Sequence, residues 1–135
     1  MSATELVADL ATRARTAART LSTATGAERK AALEAIAQAL ESRSAEILAA
    51  NEADMVNARA ENMHPQMQDR LLLTAERIKA IAAGAREVAA LPDPLGQILR
   101  KSTLPNGLEL EQISVPFGVI GMVYEARPNV TVDAA

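Results

Sequence analysis

Residues 113–135 read ISVPFGVIGMVYEARPNVTVDAA. Within that stretch an apolar, largely β-branched run at 119–124 gives way at once to Glu125-Ala126-Arg127-Pro128-Asn129. A run that is apolar on both faces suits a central strand of a parallel sheet with helices on each side. In α/β folds ligand chemistry lies at the carboxyl ends of such strands. Gly118 and Gly121 make only G-x-x-G, short of a phosphate-cradling fingerprint, and are read as close strand packing.

The turn after the run carries the candidate chemistry. Pro128 moves Arg127 out of helical geometry, and Asn129 or Thr131 can then cap a helix that begins Val132-Asp133-Ala134. A guanidinium, a carboxamide and free helix amides would meet at the end of a strand, a set suited to a carboxylate, a phosphate or an oxyanion. The competing reading pairs Arg127 with Glu125 or another carboxylate and leaves Asn129 as a cap alone.

Working back from the turn, Pro116-Phe117-Gly118 closes a predicted hairpin whose arms are 97–104 and 108–115. The turn Leu104-Pro105-Asn106-Gly107 has a mechanism, because proline presets one dihedral and Asn or Gly tolerates positive φ. Arg100 and Lys101 are expected to face Glu109 and Glu111, and the slip in apolar phase predicts a bulge or a change of burial near Glu111-Gln112. An isolated hairpin is marginal in water, which makes this one a candidate oligomerisation arm; the alternative is a surface hairpin packed on its own domain.

Before Leu91 nearly all of the alanines are found, and the periodicity is helical. Leu6, Leu10, Ala14, Ala17 and Leu21 share one helix face. Thr25-Gly26-Ala27-Glu28 has the form of a capping box, and the next stripe runs through Leu33, Ile36, Ala37, Leu40, Ile47 and Leu48. The polar stretch 51–68 reads as a helix end and a loop, with His64 held out of helix by Pro65. His64 has no second histidine and no carboxylate at ligand spacing, so it is taken as a titrating bystander, and Met55, Met63 and Met67 as packing rather than a ligand set. A further helix starts near Thr74 and stops at Leu91-Pro92-Asp93-Pro94.

The totals bound the function class. The chain has 135 residues, 49% of them hydrophobic and 23% charged, the range of ordinary globular proteins. A net charge of -3 without a long run of one sign recommends neither nucleic acid nor an anionic membrane as partner. There is no cysteine, which excludes disulfides, thiolate metal sites and a cysteine nucleophile within these residues; no metal site is expected. With no signal-peptide pattern and no long apolar run, the expectation is a cytoplasmic protein.

These motifs carry a resemblance. Pro116-x-Gly118-Val119-Ile120-Gly121 resembles aldehyde dehydrogenases generally. Tyr124-Glu125-Ala126-Arg127-Pro128-Asn129-Val130-Thr131 resembles the γ-glutamyl phosphate reductases, the proline-biosynthesis branch of that superfamily. Asn51-Glu52-Ala53-Asp54, Asp69-Arg70-Leu71-Leu72-Leu73, Leu91-Pro92-Asp93-Pro94 and Leu104-Pro105-Asn106-Gly107-Leu108 are similar to the amino-terminal third of the same family. The resemblance implies NADPH-dependent reduction of L-glutamate 5-phosphate to L-glutamate 5-semialdehyde and phosphate, through a thioester on a cysteine that would lie outside this chain.

The fold so implied is α/β: amino-terminal helices, a β-hairpin arm and the first strand of a Rossmann-like aldehyde-dehydrogenase cofactor domain, the present residues being mostly helical. Residues 1–96 would be the helical part of the cofactor domain, 97–115 the hairpin arm of an oligomerisation domain, and 116–135 the first strand and the start of its helix. Spacing aligns Arg127 with the oxyanion-hole amide of aldehyde dehydrogenases, but Asn129 is the only amide in the turn. Asn129 is therefore expected to support the oxyanion and Arg127 to bind an anionic group of the substrate. A homo-oligomer through 98–113 is expected, with glutamate 5-kinase as a further candidate partner. Two alternatives are a non-catalytic helical interaction module and the reductase domain of a bifunctional pyrroline-carboxylate synthase; a start at Met1 with no kinase domain ahead of it favours the stand-alone enzyme.

Overall fold

The computed structural model describes residues 2–135; Met1, on which the expected chain start rests, lies outside the described residues. Helices α1 (Ala3–Ser22), α2 (Gly26–Ser42), α3 (Ser44–Ala60), α4 (Pro65–Leu71) and α5 (Ala75–Ala90) precede strands β1 (Ile98–Thr103) and β2 (Glu109–Ile113), and α6 (Val130–Asp133) is a single turn. The chain is thus mostly helical with one two-stranded antiparallel sheet. It forms two compact units, one holding α1 and Pro92–Gly121, the other Ala27–Leu91 and Met122–Ala135. The cuts do not coincide with the divisions expected at 96/97 and 115/116.

In the first unit, α1 opens with a complete capping box: the Glu5 amide donates to Ser2 Oγ at 3.2 Å and the Ser2 amide to Glu5 Oε2 at 2.7 Å. The predicted apolar stripe forms, but Leu6, Leu10 and Leu21 stay exposed. In the hairpin, Lys101 Nζ lies 3.1 Å from a carboxylate oxygen of both Glu109 and Glu111, as cross-strand pairing requires. Arg100 instead faces Gln112. The bulge occurs on the other arm than expected: Ile98 pairs with Ile113 and Arg100 with Gln112, so Leu99 is the extra residue. The slipped apolar phase in β2 marked the right rung and the wrong strand. The turn closes through Leu104 N to Leu108 O at 2.8 Å, with Gly107 at φ 85.

The second unit is a helical layer whose core is built from small side chains. Ala37 of α2 packs with Ala82 and Ala85 of α5, and Leu40 and Val132 close the cluster. Alanine at these positions lets the helix backbones approach closely. Across the same pair of helices, the Arg86 guanidinium donates to both carboxylate oxygens of Glu41 at 2.8 and 2.7 Å and lies 3.6 Å from Glu34. Those hydrogen bonds from Arg86 hold the Glu41 carboxyl below the usual carboxylate range.

Three expectations change in this unit. The stripe from Leu33 to Leu48 is two helices, because Arg43 leaves helical geometry at φ -105 and ψ 18 between Ser42 and Ser44. Periodicity cannot register that break, since Leu40 and Ile47 are seven residues apart and stay in phase across it. The expected helix end and loop in 51–68 are confined to 60–64: α3 continues to Ala60 and α4 begins at Pro65. His64 ends the connection as the N-cap of α4, its Nδ1 accepting from the Gln66 amide at 3.3 Å, with Pro65 in the first helical position where it costs no hydrogen bond. Met55 is buried, in line with its reading as packing.

Residues 119–124 do not form the expected strand. Their backbone has no sheet partner among the described residues, and Phe117 and Val123 are 95% and 102% exposed. A strand exists only through neighbours that satisfy its amides and cover its faces. The one sheet here is the hairpin, and it does not extend to this run.

Candidate active site

Everything that surrounds the predicted turn belongs to the second unit. The chain turns at Ala126, which adopts φ 49, a left-handed conformation uncommon for a residue with a Cβ. Tyr124 and Thr131 brace the two ends of the turn, with their hydroxyl oxygens 2.6 Å apart. Between them Arg127, Pro128 and Asn129 form one wall of a cleft of about 360 Å³. The rest of the lining comes from α4, the α4–α5 connection and α5, with Asp69, Arg70 and Arg77 beside the apolar Leu72, Leu73 and Ile81.

The α4–α5 part of the lining is fixed by a polar clasp. Asn51, only 5% exposed, projects from α3 to the α4–α5 connection. Its Nδ2 donates to the Leu71 carbonyl at 2.9 Å and its Oδ1 accepts from the Leu73 amide at 2.7 Å. Both backbone groups at the bend are thereby satisfied without water. Thr74 then caps α5 by accepting from the Arg77 amide at 3.2 Å. Arg77 is committed to the same bend: Nη1 donates to the carbonyls of Asp69 and Leu72, and Nη2 to Asp69 Oδ1 at 2.9 Å.

Arg127 is exposed in the cleft and, among the described residues, has no ion-pair partner, Glu125 included. Asn129 occupies the N-cap position of α6 in helical geometry and makes no side-chain cap. Its Nδ2 donates instead to Asp133 Oδ2 at 2.8 Å, which orients the amide and leaves a second N–H on that nitrogen. The helix amides expected to join the anion site are not free. Val130, Thr131 and Val132 donate to the carbonyls of Arg127, Pro128 and Asn129 at 3.0, 3.3 and 3.0 Å. The tight turn consumes them, so an anion here would be held by side chains.

Arg127 and Asn129 therefore line the same cleft, and Asn51, Asp69 and Arg77, which sequence reasoning did not single out for the site, line it or hold its lining. A signal for Asn51 existed: Ile47, Asn51, Met55 and Ala58 recur at four, four and three, which puts one polar residue on a buried helix face. Among the described residues no group of three or more His, Cys, Asp or Glu could hold a metal ion, and no helix is long and apolar enough to cross a membrane.

No family model matches the chain. It is 52% identical over 131 residues to γ-glutamyl phosphate reductase of Kineococcus radiotolerans, an alignment covering 97% of this chain and 30% of that protein. With γ-glutamyl phosphate reductase of Geobacillus thermodenitrificans the identity is 54% over 124 residues, covering 92% and 30%. The crystal structure of γ-glutamyl phosphate reductase from Thermotoga maritima superposes with a TM-score of 0.88 at 37% identity, over 92% of this chain and 30% of that one. The Saccharomyces cerevisiae structure of the same name gives 0.86 at 30% identity, over 99% and 33%. The chain is homologous to the amino-terminal portion of these reductases, whose architecture its helices and hairpin match, and it spans about 30% of the length of the curated relatives it matches.

Proposed function

We propose that this chain is the amino-terminal part of a γ-glutamyl phosphate reductase, which reduces L-glutamate 5-phosphate to L-glutamate 5-semialdehyde and phosphate at the expense of NADPH in cytoplasmic proline biosynthesis. The observation that carries the reading is the cleft in which Arg127, without a carboxylate partner among the described residues, and Asn129 stand together beside a strained Ala126. Backbone strain kept beside a guanidinium in a cleft is the kind of feature that functional turns retain.

In this account Arg127 binds an anionic group of the acyl phosphate. Asn129, oriented by Asp133, directs its remaining N–H toward the oxygen that becomes negative during attack, where a fixed donor stabilises the transition state. The nucleophile is assigned to a cysteine outside this chain, which contains none. The described residues offer no cradle for a dinucleotide: Gly118, at φ 88, and Gly121 are exposed and make only G-x-x-G, and the α6 amides are already bonded. Cofactor binding and the Rossmann-like sheet are accordingly assigned to the rest of the relatives' length. The bare run 119–124 would be that sheet's first strand, its apolar faces supporting the assignment.

The hairpin is proposed as an oligomerisation arm. Ile98, Leu99, Leu108, Leu110 and Ile113 are all about half exposed or more, and an exposed apolar hairpin is stable only when something pairs with it or covers it. In a polypeptide of the relatives' length, deletion of residues 98–113 should shift elution on a sizing column to smaller species. Unchanged elution would refute the assignment.

The function itself is tested by supplying that polypeptide with L-glutamate, ATP and a glutamate 5-kinase, which generate the acyl phosphate. NADPH should be consumed only when the kinase reaction runs. Consumption independent of the kinase, or none, would rule the reading out.

A further inference from the structure

Resting on the reductase reading, we propose that Arg70 is a substrate-binding residue that takes the carboxylate at the far end of the substrate from the reacting acyl group. Three guanidiniums line the cleft: Arg70, Arg77 and Arg127. Arg77 is spent on the Asp69 carboxylate and on the carbonyls of Asp69 and Leu72, so it neutralises Asp69 and acts as a strut for the wall. Arg70 and Arg127 are both exposed and, among the described residues, neither has an ion-pair partner. Two unneutralised guanidiniums lining one cleft together with the apolar Leu72, Leu73 and Ile81 fit a short aliphatic molecule carrying an anion at each end.

The order of the two ends follows from Asn129. It stands two residues from Arg127 on the same wall and is the amide suited to the developing oxyanion, so Arg127 belongs to the phosphoryl end. Arg70, on α4, is left for the α-carboxylate. Asn51 contributes indirectly as a positioning residue, because its hydrogen bonds to Leu71 and Leu73 hold the residues that follow Arg70.

The test runs the reaction in reverse, as phosphate-dependent NADPH formation by a polypeptide of the relatives' length. Two aldehydes are compared, L-glutamate 5-semialdehyde and 4-aminobutanal, which lacks only the carboxylate. The unsubstituted enzyme should favour the semialdehyde in kcat/KM by roughly 100-fold, the size expected of one charge-assisted pair. Arg70→Ala should bring that ratio close to one by loss on the semialdehyde alone, and Arg70→Lys should restore part of it. An equal fall on both aldehydes marks a structural role, and that result, or an unchanged ratio, overturns the assignment while leaving the reductase reading intact. Absence of phosphate-dependent NADPH formation in the unsubstituted enzyme overturns both.

Discussion

Replacing Arg127 by alanine in a polypeptide of the relatives' length is expected to lower kcat/KM for the acyl phosphate by roughly 100-fold, since one charge-assisted hydrogen-bonding group contributes about 1.5–3 kcal/mol. NADPH affinity should stay within about twofold, because no cofactor contact is assigned to this wall of the cleft. Arg127 is exposed and makes no ion pair among the described residues, so its removal leaves no buried carboxylate behind and the fold should be unaffected. Wild-type kinetics in Arg127→Ala would remove the residue from the site. An equal loss of cofactor affinity would show that the cleft is not reserved for the substrate.

A second large effect is expected at Asn51. Asn51→Ala strands the Leu71 carbonyl and the Leu73 amide in a part-buried bend, and with each unpaired group costing about 1–3 kcal/mol, the loss should reach about 2–6 kcal/mol of stability. The check is the urea midpoint of the transition that includes α3 to α5, at unchanged m-value. Because α4 carries Arg70 and the bend accepts from Arg77 of α5, activity should fall along with stability. A change below about 0.5 kcal/mol, typical of surface positions, would mean that water replaces the side chain at the bend.

The helical layer was largely legible because its signals are local. The start of α5 at Thr74, its end before Pro92 and the Pro105-Asn106-Gly107 turn each follow from one or two residues with fixed backbone preferences. What escaped was nonlocal or ambiguous in phase. The polar residues of 51–60 suggested a loop, yet Asn51 is polar because it bonds a bend twenty residues away, and the rest simply face outward. The break at Arg43 was hidden by apolar residues that keep step across it.

The turn at 125–129 was only partly readable. Its residue types announced an anion site, and the cleft brings Arg127 and Asn129 together. Proline and asparagine also suggested open helix amides, but Asn129 already has helical dihedrals and the turn before it supplies the carbonyls of Arg127, Pro128 and Asn129 to the first-turn amides. The run 119–124 failed as a strand for a different reason. A strand needs partners for its amides and cover for both faces, and among the described residues the hairpin sheet does not reach this run. The thin alanine core belongs to the same picture, with Ile78 the largest fully buried side chain among the described residues.

The central claim is that this chain belongs to an enzyme that exchanges an aldehyde and phosphate for an acyl phosphate. Its most direct test is the reverse reaction, with L-glutamate 5-semialdehyde, NADP+ and inorganic phosphate supplied to a polypeptide of the relatives' length that includes this chain. NADPH should form only when phosphate is present, and the rate should collapse in Arg127→Ala. NADPH formation that proceeds equally without phosphate would identify an ordinary aldehyde dehydrogenase and contradict the account.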